Sequence, residues 1–254
     1  MLSAIPWDFA LILVVLAVLV PWRGSRRVRA LLATETLSTA DRISVYASTI
    51  AFQWAATAIV LWRCLAHGLR LEDLGLSTAR PWLILSVAAG LAILITANQL
   101  ASLQRLAQLP PEKQGFFRAF SLKLLPRNSV EGLAFFALVV TVSICEEVIY
   151  RGFVQRVFQN LGGGSVTIGI LASAAFFSLA HLYQGRRGLA GTFIAGCIFS
   201  GARAWTGSLI PLMIAHFSAD ALAVFLAPRW LLRVPANRVS TAVSAEASGG
   251  AGNP

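Results

Sequence analysis

The stretch GLAFFALVVTVSICEEVIYRGF, Gly132 to Phe153, decides what kind of protein this is. From Gly132 to Cys145 it carries no charge at all; then come two adjacent carboxylates, Glu146 and Glu147, and Arg151. An apolar helix of about 20 residues crosses a bilayer. An ionisable side chain at its centre costs about 2.5–3.5 kcal/mol, so it needs a partner or a wet cavity. Glu147 and Arg151 stand four residues apart, acid before base, which is the favourable order for a helical ion pair. Glu146 lies about 100° round the helix from Glu147. It cannot share that pairing well, so it needs a partner from another helix, or water.

The composition agrees with a membrane setting. The chain has 254 residues, 57% of them hydrophobic and only 13% charged, with mean hydropathy +0.71. Soluble domains carry about 25% charged residues. The formal net charge of +10 suits basic loops at an anionic lipid surface. No basic, aromatic-interleaved motif points to nucleic acid. The three cysteines, Cys64, Cys145 and Cys197, have neither disulfide-framework nor zinc-ligand spacing and read as small apolar packers.

Hydropathy predicts an all-α, polytopic membrane helix bundle of about seven spans (six to eight). They fall near residues 5–22, 43–62, 81–104, 130–150, 164–184, 188–204 and 207–227. The run at the N-terminus is read as a retained first span, because its arginines follow the apolar stretch instead of preceding it. Basic residues favour one set of loops: Arg23 to Arg42, Arg105 to Arg127, Arg186 and Arg187, and Arg229 to Arg238. By the positive-inside rule that side is cytoplasmic, with the N-terminus outside and the C-terminus inside. Residues 1–234 are expected to form one transmembrane domain and 235–254, rich in Ala, Ser and Gly, a disordered tail. Residues 105–128 read equally as an interfacial amphipathic helix or a basic loop.

Further polar groups recur at helical spacing. FSLAH holds Phe177 and His181, and HFSAD holds His216 and Asp220, each pair at i, i+4. His67 follows Arg63 in a loop and is given no role. A poorly hydrated carboxylate is a useful general base, and an imidazole can share its proton or donate to an oxyanion. Glu146, His181, His216 and Asp220 are thus parts for hydrolysing an amide with activated water. The same groups would serve a proton-coupled transporter, although no inverted repeat is visible. No serine elbow or H-E-x-x-H motif occurs.

The three motifs in order, Glu146-Glu147-Val148-Ile149-Tyr150-Arg151, Phe177-Ser178-Leu179-Ala180-His181 and His216-Phe217-Ser218-Ala219-Asp220, resemble the CAAX protease and bacteriocin-processing (Abi) family of intramembrane endopeptidases. The resemblance covers about residues 129–227, with LEDLGL (Leu71–Leu76) a weaker family-like touch. It implies a peptidase acting on a membrane-associated or lipidated substrate, in a bacterial inner membrane. Glu146 and His181 would activate water, His216 and residue 220 would support the oxyanion, and Glu147, Arg151 and Phe177 would brace the site. The same fold without catalysis would serve an immunity or regulatory protein. The family's commoner residue at position 220 is Asn. When ionised, Asp220 can only accept and cannot donate, so it would instead orient His216 or help ligate a metal. Glu146, His181, His216 and Asp220 are a possible ligand set for a divalent ion such as zinc, and a metal-free glutamate mechanism is the other option. For Glu146 to reach the depth of His181, the helix that carries it must run on from about Val130 to Phe158.

Overall fold

A computed structural model describes residues 5–110 and 113–231, with side chains to residue 222. The expected tail at 235–254 lies outside the described residues. Those residues form helices and no strands. We number the helices α1 (Trp7–Ala33), α2 (Thr39–Ala66), α3 (Pro81–Gln108), α4 (Gly115–Leu124), α5 (Ser129–Leu161), α6 (Val166–Ala180), α7 (Gly185–Thr206) and α8 (Ile210–Leu231).

Local signals account for most boundaries. Ser38 and Asp41 form a capping box at the start of α2. Asn128 caps α5 by accepting the Glu131 N–H, and Pro81 opens α3 at a position where its missing N–H is harmless. Gly207, at φ 71°, ends α7 in the left-handed conformation that glycine adopts without strain. The first helix runs past Pro21 to Ala33, eleven residues beyond the expected end at 22. A π-turn at Val15–Leu19 lies just ahead of the proline. It widens the backbone where the ring would otherwise meet the carbonyl four residues back.

Four helices, α1, α2, α3 and α5, are long and apolar enough to cross a membrane on their own. The pair α6–α7 adds a fifth crossing if taken as one bent unit, its axes 61° apart at the break after Ala180. The apolar part of α8, Ile210–Leu222, is shorter. The sequence reading of about seven spans treats α6 as a full one. At 15 residues it measures only about 22 Å, against about 30 Å of hydrocarbon. Residues 115–124, which the sequence left as helix or loop, are helical. Outward-facing Leu, Ile, Val, Phe and Trp side chains on all four long helices give the protein an apolar exterior, and it is an integral membrane protein.

Exposed tryptophans mark one end of the bundle. Trp7 opens α1, Trp62 is near the end of α2, Trp82 opens α3 and Trp205 closes α7. Asp8 ties the first pair together through Arg63 at 2.6 Å, and Arg80 donates to the Trp205 and Thr206 carbonyls. Amphipathic aromatics of this kind sit at headgroup level. The opposite end carries Trp22 beneath the Arg26 guanidinium, Arg27 bonded to Ser48, and the fully buried Glu131. Glu131 accepts from Arg42, Thr39, Asn128 and the Arg127 N–H, so its charge is fully compensated.

Two larger apolar clusters fill the interior, with a small third one around Leu103 and Leu125. One joins α1, α2, α5 and α6 through Phe9, Val60, Leu74, Phe153 and Phe177. The other joins α3, α7 and α8 through Leu91, Phe199 and Leu212. Leu74 belongs to LEDLGL, of which Leu74 and Gly75 are buried: Gly75 accepts from the Leu209 N–H, and Asp73 O accepts from Arg203. The candidate site lies between the two larger clusters.

Candidate active site

The helix that carries Glu146 and Glu147 spans Ser129–Leu161, the extension that common depth with the histidines requires. Its middle, Glu147–Val154, is a π-helix whose eight residues are all buried. A π segment shifts the facing of every residue beyond it, and such segments gather at functional sites. Here it turns both Glu147 and Arg151 inward, each 0% exposed.

Glu147 is the hub. Its Oε1 accepts from Arg151 Nη1 at 3.1 Å and from His216 Nδ1 at 2.9 Å. The Arg151 guanidinium also lies over the Phe177 ring, 4.1 Å from its centroid, and 5.3 Å from that of Phe199. Phe177 thereby braces the ion pair by a cation–π contact in a dry setting. Because a carboxylate only accepts, His216 presents its Nδ1–H to Glu147, and Nε2 faces the other way.

On that other side stand the remaining acids. Glu146 Oε2 lies 4.0 Å and Asp220 Oδ2 3.7 Å from His216 Nε2. Glu146 Oε1 accepts from the Gln53 amide of α2 at 2.9 Å. The unpaired acid thus finds the interhelical partner it needs. His181 ends α6 at the break before α7. Its Nδ1–H donates to the Phe177 carbonyl at 2.8 Å, which leaves Nε2 with a free lone pair. Its ring leans on Phe177 and on Tyr183, at centroid distances of 4.6 and 5.8 Å. The structure therefore gathers Glu146, Glu147, Arg151, Phe177, His216 and Asp220 through direct contacts. His181 joins them through Phe177 and lies outside ion-pair distance of Glu146.

Sequence reasoning passed over two features. Gln53 was visible as a lone amide in an uncharged span, the one signal that could have flagged it. His67, given no role, lies 3.0 Å from Asp8, which also takes Arg63. Arg63 and His67 are at i, i+4, but their acid comes from another helix, so spacing alone could not reveal it.

As for a metal, no three His, Cys, Asp or Glu side chains among the described residues converge in an arrangement that would hold one. His216 commits Nδ1 to Glu147, and its Nε2 faces two carboxylates that approach it from 3.7 and 4.0 Å without closing on a common point. The donor types would suit zinc, but their spacing does not make a ligand cage.

Comparison with known proteins follows the same boundaries. Residues 128–222 match the family described as type II CAAX prenyl endopeptidase Rce1-like. An uncharacterized 24.3 kDa protein of Escherichia coli is 29% identical over 108 residues, 41% of this chain and 50% of that protein. The chain thus spans about half the length of this curated relative. No solved structure matches. The matched segment contains every membrane-buried acid and imidazole of the three motifs, and over residues 128–222 the chain is similar to the type II CAAX prenyl endopeptidase, Rce1-like, family.

Proposed function

We propose that the protein is an intramembrane endopeptidase that hydrolyses a peptide bond of a membrane-associated or lipidated substrate, with Glu146 as the base. The observation that carries this reading is the facing of Glu146 Oε2 and His216 Nε2 across 4.0 Å. A water oxygen can stand about 2.8 Å from both atoms, accepting or donating as each requires.

Glu146 Oε2 removes a proton from that water as its oxygen attacks the carbonyl carbon, and later delivers the proton to the leaving nitrogen as the C–N bond breaks. His216 supports the oxyanion from Nε2. With Nδ1–H given to Glu147, it offers a second proton only as the imidazolium, and Glu146, Glu147 and Asp220 compensate that charge. Asp220 orients His216, which suits an acid in place of an amide. His181, with Nδ1–H given to the Phe177 carbonyl, uses its Nε2 lone pair to hold the water or the incoming peptide. Arg151 and Glu147 keep the imidazole in place. Loop charges favour a cytoplasmic C-terminus and an external N-terminus, and the membrane would be a bacterial inner membrane.

The test is a comparison of membrane proteomes from cells carrying the wild-type protein and Glu146→Gln. A peptide whose processing disappears in Glu146→Gln and in His181→Ala, with both variants inserted at normal levels, is the expected result. Normal processing in both variants refutes the reading.

A further inference from the structure

Gln53 lies outside the family-matched segment, on α2, in a span with no charged residue between Arg42 and Arg63. Burying an amide in an apolar span is unfavourable unless it finds a partner. Its partner is the glutamate of the Glu146–Arg151 motif that the Glu147–Arg151 pair leaves over: Gln53 Nε2–H donates to Glu146 Oε1 at 2.9 Å. Only the nitrogen end of the amide can serve an ionised carboxylate, which fixes the orientation of the group. The next residue docks on the same partner helix five residues before Glu146, where Trp54 Nε1–H donates to Thr141 Oγ1 at 3.2 Å. α2 thus makes two adjacent polar contacts with α5, and only one of them reaches the site.

A carboxylate has two oxygens and a rotatable end. With Oε1 held, Oε2 is the oxygen turned to His216 Nε2. We propose that Gln53 is a positioning residue of this site: its amide fixes the Glu146 carboxylate so that Oε2 alone faces the water, which completes the constellation from the N-terminal half of the chain. This rests on the peptidase reading for its consequence in turnover, but the hydrogen bond can be tested without it. Groups held by a supporting residue commonly lose about 10–100-fold when the support is removed, and misplacing a reacting group by about 1 Å costs about 100-fold.

The experiment uses the full-length protein in lipid nanodiscs with three variants: Gln53→Met, which keeps the length but removes the donor, Gln53→Leu as a second apolar replacement, and Trp54→Phe, which removes only the neighbouring contact. The first readout is the infrared carboxylate stretch of Glu146, isolated from 13C-glutamate-labelled protein as the difference from Glu146→Gln. The second is kcat and KM on a fluorogenic peptide ending in a prenylated cysteine followed by three residues. The Glu146 band is expected to shift in Gln53→Met and Gln53→Leu and to stay put in Trp54→Phe. kcat is expected to fall about 10–100-fold in the Gln53 variants with KM within about twofold, and to change less than about threefold in Trp54→Phe. A band unmoved in both Gln53 variants, or an equal loss of kcat in Trp54→Phe, overturns the proposal. A wild-type protein that does not cut the probe while its band responds to Gln53 defeats the peptidase reading and leaves the Gln53–Glu146 bond standing.

Discussion

Replacing Arg151 by Met removes a cation from the middle of the core. Arg151 is fully buried, makes one hydrogen bond, to Glu147 at 3.1 Å, and covers the Phe177 ring at 4.1 Å. Its Nε and Nη2 have no hydrogen-bond partner. Deleting one member of a buried pair costs about 3–5 kcal/mol, mostly through the charge left behind. Two features place this case at the low end, near ~3 kcal/mol. His216 remains 2.9 Å from Glu147 as a second counter-group, and an arginine with unpaired N–H groups contributes less than a fully bonded one. A loss of ~3 kcal/mol lowers the folded-to-unfolded ratio by about two orders of magnitude. The double variant Glu147→Gln, Arg151→Met removes both charges and should regain about half of the loss. Reversible unfolding in mixed micelles, followed by tryptophan fluorescence, measures both. If Arg151→Met costs less than about 1 kcal/mol, the value of an exposed pair, or if the double variant is no more stable than the single one, the buried-charge argument is wrong.

Other outcomes follow from the same contacts. Glu146→Gln should lower cleavage of a membrane substrate at least about 100-fold with insertion and helicity unchanged, read by processing and circular dichroism. Asp220→Asn should keep cleavage within about tenfold, since an amide can still accept from His216 and can also donate; loss as deep as that of Glu146→Gln would show that the charge itself is required. Gly196→Val should separate α6 from α7, because a Cβ at Gly196 would already meet Ala174 Cα at 2.9 Å; a loss of about 1–3 kcal/mol in the same unfolding assay is expected. Asp73, in the loop between α2 and α3, has its carboxyl held below the usual value of 3.8 by the Arg70 N–H, with help from the charges of Arg156 and Arg70 against the opposing effect of burial. A depressed folded-state value means that its stabilisation is complete above about pH 4 and fades as pH falls. The stability gap between wild type and Asp73→Asn should therefore close on acidification, as measured by unfolding across that range.

Much of this site was legible because helical spacing is local. Glu147 with Arg151 and His216 with Asp220 are both four residues apart, and both pairs meet. Length was legible too: the depth argument required α5 to extend, and it reaches Leu161. What sequence could not show depends on distant partners. The Glu147–His216 bond joins residues 69 apart, and Gln53–Glu146 joins residues 93 apart. Hydropathy also cannot distinguish a helix that crosses the bilayer from one that folds back within it. α6 and α7 pack along each other, with Ser178 donating to Leu189 O and Ser200 to Ser173, so their apolar character reflects protein contact as much as lipid. The long extension of α1 past Pro21 was hidden for a different reason, since a π-turn leaves no mark in hydropathy.

The four tryptophans set a ruler for whatever the protein acts on. Gln53 lies nine residues from Trp62 and eleven from Arg42 along α2, about 14 and 16 Å at the helical rise. A peptide in extended form covers that distance with about four or five residues, whereas as a helix it would need about ten. A substrate that reaches Glu146 from either face in extended form therefore needs only about four or five residues beyond the membrane surface. A short flexible terminus supplies that length without giving up any helical hydrogen bonds, whereas a membrane helix that entered extended would first have to unwind about four or five residues.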